Sequence, residues 1–594
     1  MTLKSFQNLL YFFLSAFPVI SVAQNPSAHP EQNKAWIIQS NGYTKLLIDI
    51  DEKYSPEFGS NQGFAFYDTL IAQPTLTNIL AKRKDQENAL VVLKAAKQKE
   101  SDPAVRQDLD ILIHQTELGF RQDDFELQKK VSFFNATSTV YSGIQGLLDD
   151  QTPAERRPAA LIRLQKYAGL QSGYEPITVL LKERTLTQMA KPNMIYPSKQ
   201  ELELVLSRNG SMVSGIQELF IKYKLSGWES EYTSIKKQLE DYDAWVRAQI
   251  LPKARTDFRL PAEQYQLALE GYGIDIPPAE IAKMAHETFT SIQSQMRPLA
   301  QQLAKKYKLP SSDYREVIRY LKKRQILGDS IMIVYTARLK DVEGIINEHR
   351  LVTLPDRAAI IRLASAAETA QQPAPHMVPP PFLHNTGQRG VFVLPLNMPV
   401  SEGEKVDKYD DFTFEAASWT IVAHEVRPGH ELQFDKMVEE GVSQARALYA
   451  FNSTNVEGWG LYSEYITLPY MPVEGQLISL DYRLLRAARA FLDPELQAGT
   501  ITQQQALDLL MKDVVSSHAF ARQEVERYTL RAPGQANSYF YGFIKMIGLR
   551  KDAEQALGVK FNQQHFHDFI LSQGILPPAL IREAVMGAFV TQEK

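Results

Sequence analysis

The stretch Ala423-His424-Glu425-Val426-Arg427-Pro428-Gly429-His430-Glu431-Leu432-Gln433, followed by Val456-Glu457-Gly458-Trp459, gathers the residue types that hold a metal ion. The nearest short pattern is H-E-x-x-H, in which two His ligands one helical turn apart flank a Glu that acts as general base in zinc peptidases. Here His424 and His430 are six positions apart, so on an unbroken helix their side chains would diverge by roughly 120°. Pro428 cannot donate to the carbonyl of His424 and its ring clashes with it, while Gly429 accepts almost any backbone conformation. The helix is therefore expected to break or bulge between them and swing His430 back. A lone His is commonly a surface or satisfied core residue, and Pro-Gly is a common helix stop. The conjunction of His-Glu, a sharp break, a second His and a later acidic helix is what points to a metal. For a third ligand the sequence offers Glu457 and, two turns on, Glu464; about 10 Å of helix rise between them means that both cannot bind one ion.

Three motifs carry a resemblance. His424 to Gln433, Glu457-Gly-Trp-Gly-Leu-Tyr-Ser-Glu464 and Pro533-Gly-Gln-Ala-Asn-Ser-Tyr539 resemble the HExxPGHxxQ, EGWxxYxE and PGQxxxY patterns of the bacterial domain-of-unknown-function family 885. That family is distantly similar to helical zinc peptidases of the thimet-oligopeptidase and angiotensin-converting-enzyme type. The resemblance implies Zn2+ held by His424, His430 and Glu457, with Glu425 as base and Glu464 as a neighbour that supports a ligand. It also implies a Tyr in a late loop that donates to the developing oxyanion: Tyr539 first, then Tyr541 and Tyr528. Arg486, Arg489 and Arg527 are candidate clamps for a substrate carboxylate. Two positions depart from the family. Leu260-Pro-Ala-Glu-Gln-Tyr265 stands where the family has Gly-Gly before a Tyr pair. Arg427 replaces a common aromatic, and a cation there disfavours a bound metal unless it points to solvent or pairs with Glu431 or Asp435.

The elements that must position these residues read as helices. Met1 to Ala23 has the form of a signal peptide: Lys4, a short apolar run from Leu9 to Ile20, and Ser21-Val22-Ala23 as a cleavage site. The run is too short to span a membrane, and no Cys follows it for lipid attachment. Amphipathic periodicity then predicts helices over Thr75 to Lys97, Pro103 to Phe120, Ser198 to Tyr223 and Tyr232 to Gln249, with Phe133, Phe134 and Tyr141 as core. Pro252 and Pro261 mark a boundary between an N-terminal helical lobe (24–260) and a catalytic helical lobe (261–594). In the second, Pro278 to Tyr307 and Asp313 to Lys323 are helical, and His286-Glu287 is a decoy on a solvated face because no second His follows. Glu368 to Asn385, with Pro373, Pro375 and Pro379 to Pro381, reads as an irregular crossover. Gly390-Val-Phe-Val-Leu394, closed by Pro395, is the best strand. In the helical zinc peptidases a short exposed strand beside the metal helix aligns the substrate backbone; a plain core strand is the alternative. The metal helix is expected to begin near Phe412, with Phe412, Ala416, Trp419 and Ala423 on its apolar face.

Composition sets the class. With 44% hydrophobic and 23% charged residues and a net charge of −4, the chain is globular and lacks the basic surface of a nucleic-acid partner. Without Cys it has neither disulfides nor a thiolate-bound metal. The reading is a mainly α, two-lobed, exported protein, periplasmic or extracellular, with no stable membrane insertion after leader removal. Its expected activity is zinc-dependent hydrolysis of short peptides. A metal-dependent amidase or esterase and a non-catalytic peptide-binding relative are the alternatives; peptide length, cleavage end and oligomeric state stay open.

Overall fold

Side-chain oxygens at Thr75, Asp102 and Ser198 accept from backbone amides and close the N-termini of the helices Leu76–Lys99, Pro103–Lys129 and Lys199–Lys222. Ser198 does so within a capping box with Glu201. These N-terminal ends match the expected ones to within a residue; Pro103–Lys129 continues nine residues past the expected Phe120, and Glu229–Gln249 begins three residues before the expected Tyr232. The computed structural model describes residues 34–327, 330–372, 375–394 and 410–593. The leader expected at 1–23, Pro373 and Pro395 lie outside them. The chain is mainly α, with one small sheet. No helix among the described residues is long and apolar enough to cross a membrane.

One apolar cluster joins Ile71 to residues as far as Ile250 and takes in Tyr141 and Ala367. A larger one runs from Tyr265 to Val590, with Ile111 reaching into it from the first half. Within that larger core, α1 (Pro278–Tyr307) packs along α6 (Val473–Ala498). α6 also packs against α3 (Glu415–Glu425) and α8 (Ala536–Leu557); α2 (Ser330–Glu348), α4 (His430–Lys436) and α5 (Ser453–Thr467) pack on α3, and α7 (His518–Glu526) packs on the turn Arg527–Arg531, which lies against α6. Helices α5 and α8 meet backbone to backbone: a Cβ at Gly458 would lie 2.7 Å from Cα of Gly542. No side chain larger than hydrogen fits at that crossing, and the closeness fixes α5 over the rest of the site.

The sheet holds β1 (Ile360–Leu363), β2 (His376–Val378) and β3 (Val391–Leu394) in the order β1-β3-β2. β1 runs parallel to β3, pairing Ile360 with Val391, and β2 antiparallel, pairing His376 with Val393. Of the two readings of Gly390 to Leu394, the core strand is the one found: β3 is central and wholly buried, and among the described residues the edges are β1 and β2. Two expectations are corrected here. The segment expected to be irregular from Glu368 holds the end of a short helix, Ala366–Gln371, because Ser365 and Glu368 form a capping box, and then β2. The metal helix starts at Glu415 and not near Phe412, because Phe414 is extended in a bridge with Gln325.

Tyr462, on α5, is held by a buried His567, whose Nδ1 lies 2.6 Å from the Leu351 carbonyl and Nε2 2.7 Å from the Tyr462 hydroxyl. The carbonyl requires Nδ1–H, and burial favours the neutral ring, in which Nε2 accepts from the Tyr462 hydroxyl. Burial lowers its pKa to about 4 and the Arg550 cation assists. A depressed folded value means stability that is full above the unfolded value near 6.5 and is lost as pH falls toward 4. Calorimetry between those limits should show wild type losing roughly 3 kcal/mol more than His567→Gln. Equal losses in the two proteins would remove His567 as the cause.

Candidate metal centre

Helix α3 ends at Glu425 and α4 starts at His430, so the predicted break falls at Val426 to Gly429. The Arg427–Pro428 peptide is cis. Gly429 lies directly against the end of α3: a Cβ there would sit 1.8 Å from the His424 carbonyl oxygen and 2.6 Å from that of Ala423. The turn is held from two sides. Trp459 of α5, fully buried, donates from Nε1 to the Pro428 carbonyl at 2.9 Å. Arg427, also buried, donates to Glu431 at 2.9 Å, to Glu343 of α2 at 2.5 Å and to the Arg357 carbonyl at 2.8 Å. Arg357 in turn pairs with Glu431, Glu439 and Asp435, and Asp435 accepts from the Gly390 amide at 2.8 Å, at the start of β3. Arg427 is thus consumed by carboxylates on the far side of the break, one of the two arrangements in which a cation is compatible with a metal.

The three expected ligands converge. Oε2 of Glu457 lies 3.4 Å from Nε2 of His424 and 3.5 Å from Nε2 of His430, and the three donors fall within 4.8 Å of one another. Two ligand atoms each ~2.1 Å from a tetrahedral ion stand about 3.4 Å apart, so the spacing suits zinc and is longer than a direct hydrogen bond. Nitrogen and carboxylate donors in this number also match a zinc site with one open position.

Glu457, Gly460 and Glu464 occupy one face of α5, three and four positions apart. The His424 ring lies between the two carboxylates and over the glycine. Its Nδ1 faces Oε1 of Glu464 at 2.8 Å, and a Cβ on Gly460 would be 2.6 Å from its Cε1. Glu464 also accepts from Thr420, one turn before His424, at 2.6 Å and meets Arg486 at 3.4 Å. It therefore touches the ring nitrogen opposite the one that faces Glu457. On the second ligand the corresponding atom, Nδ1 of His430, is buried with no hydrogen-bond partner. Gln433 ties α4 to α5 through Asn455 at 2.9 Å.

Burial pulls the His424 pKa down, but the carboxylates of Glu457 and Glu464 outweigh it and lift it to about 9. Glu457 is driven well below the usual carboxylate range, against its burial, by His424 and His430. His424 thus stands between two carboxylates, an arrangement suited to a divalent cation, whose binding would displace any proton on the imidazole. Glu425 is raised by burial and by Glu457, with both His and Arg486 opposing.

All four residues line a cleft of ≈ 350 Å³ together with Tyr539, Arg486, Arg489 and Arg527. Tyr539 stacks 6.4 Å from the His424 ring, lies within hydrogen-bonding reach of Glu457, and accepts from Arg527 at 2.9 Å. It sits in the first turn of α8, not in a loop. That turn starts from Pro533-Gly534, where Gly534 has φ +90° and donates to Asp493 at 2.9 Å. Tyr265, in the departing segment, donates to the same Asp493 at 2.8 Å, so it supports this turn. The other two tyrosines are corrected: Tyr541 donates to Asp275 and Tyr528 to Glu524 at 2.7 Å, and neither lines the cleft. His286, exposed and paired with Glu495, is far in role from the metal group, as expected of a decoy. Sequence reasoning missed Thr420, Gly460, Gln535 and the β2 residues His376 and Met377; Gln535 and the two β2 residues line the cleft. Of these, Gly460 was legible, as a small residue midway between two acids on one helical face.

The chain's similarity to known sequences covers most of this architecture, residues 56–585. It belongs to the bacterial protein family of unknown function DUF885. No curated protein matches the chain. In structure, this DUF885 chain is similar to a putative lipoprotein of unknown function from Shewanella oneidensis, with TM-score 0.70 and 18% identity over 92% of this chain and 99% of that one. It is likewise similar to a putative lipoprotein from Colwellia psychrerythraea, with TM-score 0.69 and 18% identity over 94% and 98%. These likenesses establish the fold.

His424→Ala, His430→Ala and Glu457→Ala should each abolish stoichiometric zinc uptake, while Glu464→Gln should weaken it by about tenfold to a hundredfold through the orientation of His424. Gly460→Ala should also weaken zinc binding, since the ring must leave its seat. Metal content by elemental analysis decides; full zinc in Glu457→Ala with loss in Glu464→Ala would exchange the two roles.

Proposed function

We propose that this protein is an exported zinc-dependent peptidase acting on short peptides. The observation that carries the reading is the pair of 3.4 and 3.5 Å separations between Glu457 and the two imidazoles, with Glu425 beside them in one cleft. Bound there, zinc would lower the pKa of a coordinated water and polarise a substrate carbonyl. The remaining work falls to the chain's own groups. Glu425, directly after a ligand and with a carboxylate pKa raised by burial, accepts the proton of the attacking water and passes it to the leaving amine. Tyr539 donates to the oxygen on which negative charge grows, and Arg527, donating to that same hydroxyl, fixes the direction of its proton. His424 is kept in one tautomer and orientation by Glu464.

A peptide is favoured over other amides or esters because β2 is a sheet-edge strand whose His376 and Met377 line the cleft. An extended peptide can pair with such an edge through its backbone. Export is supported by the leader pattern at 1–23 and by two structural relatives described as putative lipoproteins. The sequence has no Cys and so no thiol for a lipid anchor.

Glu425→Gln should keep zinc and the fold and lose nearly all turnover, because the amide is isosteric but accepts no proton. The check is a mixed-peptide digest read by mass spectrometry, with and without chelator, on wild type and variant. An active Glu425→Gln protein would sink the mechanism; ester turnover without peptide cleavage would favour an esterase; stoichiometric zinc with no turnover would favour a binding protein.

A further inference from the structure

Beyond the metal, the cleft has a basic wall. Arg486, Arg489 and Arg527 all line it and surround the Tyr539 ring, their guanidinium carbons 6.0, 4.4 and 5.2 Å from its centroid. Two carboxylates answer these three cations. Glu524 takes both oxygens' worth of Arg489, at 2.6 and 2.8 Å, and stands 3.5 Å from Arg527. Glu464 meets Arg486 at 3.4 Å but is already bonded to His424 and Thr420. Arg489 therefore has a two-pronged carboxylate partner, whereas Arg527 and Arg486, whose Nη1 donates to the Tyr482 carbonyl at 3.1 Å, do not. Nε of Arg486 is buried without an acceptor, and Arg527 has one close bond, to Tyr539. Glu425 acts on Arg486 and Glu457 on Arg527 only through space, without an ion pair, and both carboxylates would be drawn to a bound zinc ion. Unpaired buried charge is unfavourable, and a planar guanidinium fork is best completed by a carboxylate.

We infer that Arg486 and Arg527 form a clamp for the free C-terminal carboxylate of the peptide, which makes the site one that removes residues from a C-terminus. The inference rests on the peptidase reading for its reaction but not for its binding step. Tyr539 spans the two regions, contacting Arg527 at one side and stacking 6.4 Å from the His424 ring. The clamp thus lies within about two or three extended residues of the metal, at ~3.3–3.6 Å each. That reach places the attacked bond one or two residues from the end. Arg489 is the positioning residue of the wall, holding Glu524 and the Tyr539 face.

The test is calorimetric binding of one short peptide as its free acid, as its C-terminal amide, and as an amide carrying Asp at its last position. It is run on zinc-loaded Glu425→Gln protein and on metal-free protein, so that a carboxylate bound by the ion itself is told apart. The free acid should bind at least tenfold more tightly than the amide in both forms, and Arg527→Lys should erase most of that ratio, since an ammonium lacks the fork. Equal binding of acid and amide in wild-type background, or no binding of either, overturns the clamp whatever the variant does. Rescue of the amide by Asp overturns the terminal assignment in favour of a side-chain carboxylate. An acid preference that vanishes without metal assigns the carboxylate to the ion. Acid-selective binding in a protein that cleaves no peptide would instead overturn the peptidase reading and leave the clamp standing.

Discussion

The site depends on one imidazole held on three sides. The ring of His424 lies across α5 in a slot whose floor is Gly460 and whose ends are the carboxylates of Glu457 and Glu464. Because the two ring nitrogens point in opposite directions, the ring can satisfy an acid at each end, one shared with the proposed ion and one not. The helix supplies the spacing: acids two turns apart, with the only side chain that leaves room for the ring between them. α5 can serve as a template only if it does not move. Its own close crossing with α8 at Gly458 and Gly542, and the fully buried Trp459, provide that rigidity.

The second imidazole comes from a different kind of constraint. His430 reaches Glu457 because the chain turns sharply over four residues and resumes a helix at the second His itself. A turn made of Pro and Gly has few backbone hydrogen bonds to defend it, and it is held by side chains from elsewhere: Trp459 on one carbonyl, Arg427 through Glu431 and Glu343, and Arg357 through Asp435 to the start of β3. The same network fastens the sheet to the metal helix. The edge strand β2 and the ligands therefore keep their relative position through one group of buried ion pairs.

What the sequence made legible follows from how local the causes are. Helices such as Pro278–Tyr307 are written in their caps and 3.6-residue periodicity, and both end points are recovered. The convergence of His424 and His430 was legible because they lie on two adjacent helices with a Pro-Gly signal between them, whereas Glu457 comes from a third helix. The tyrosines were not separable for a geometric reason. Tyr539 and Tyr541 are two positions apart, which in a loop permits a common direction but on a helix sets them about 200° apart, and the segment is a helix. β1 and β2 were missed because strands of four and three residues carry too little alternation to stand out, and their pairing with β3 is non-local. Tyr265 was judged by its departure from a Gly-Gly pattern, yet its role is set by a contact with Asp493, more than two hundred residues away in the chain.

Arg427 shows how a cation can stand three residues from an imidazole of the proposed metal group without adding an unanswered charge to it. A side chain's charge acts through its distance and its partners, not through its place in the sequence. Arg427 pairs at the break with Glu431 and Glu343, and Arg357 pairs with the same Glu431 and with Glu439 and Asp435. Seen from the two imidazoles, that assembly leaves no positive charge unanswered. The arginines that do face the cleft are arranged otherwise: they outnumber their carboxylates and surround a tyrosine that touches the metal group. One group of arginines thus maintains the geometry of the break, whereas the other leaves a positive charge to be answered by what enters. The two are built from the same residue type, and only burial with complete pairing distinguishes the structural set from the set open to a ligand.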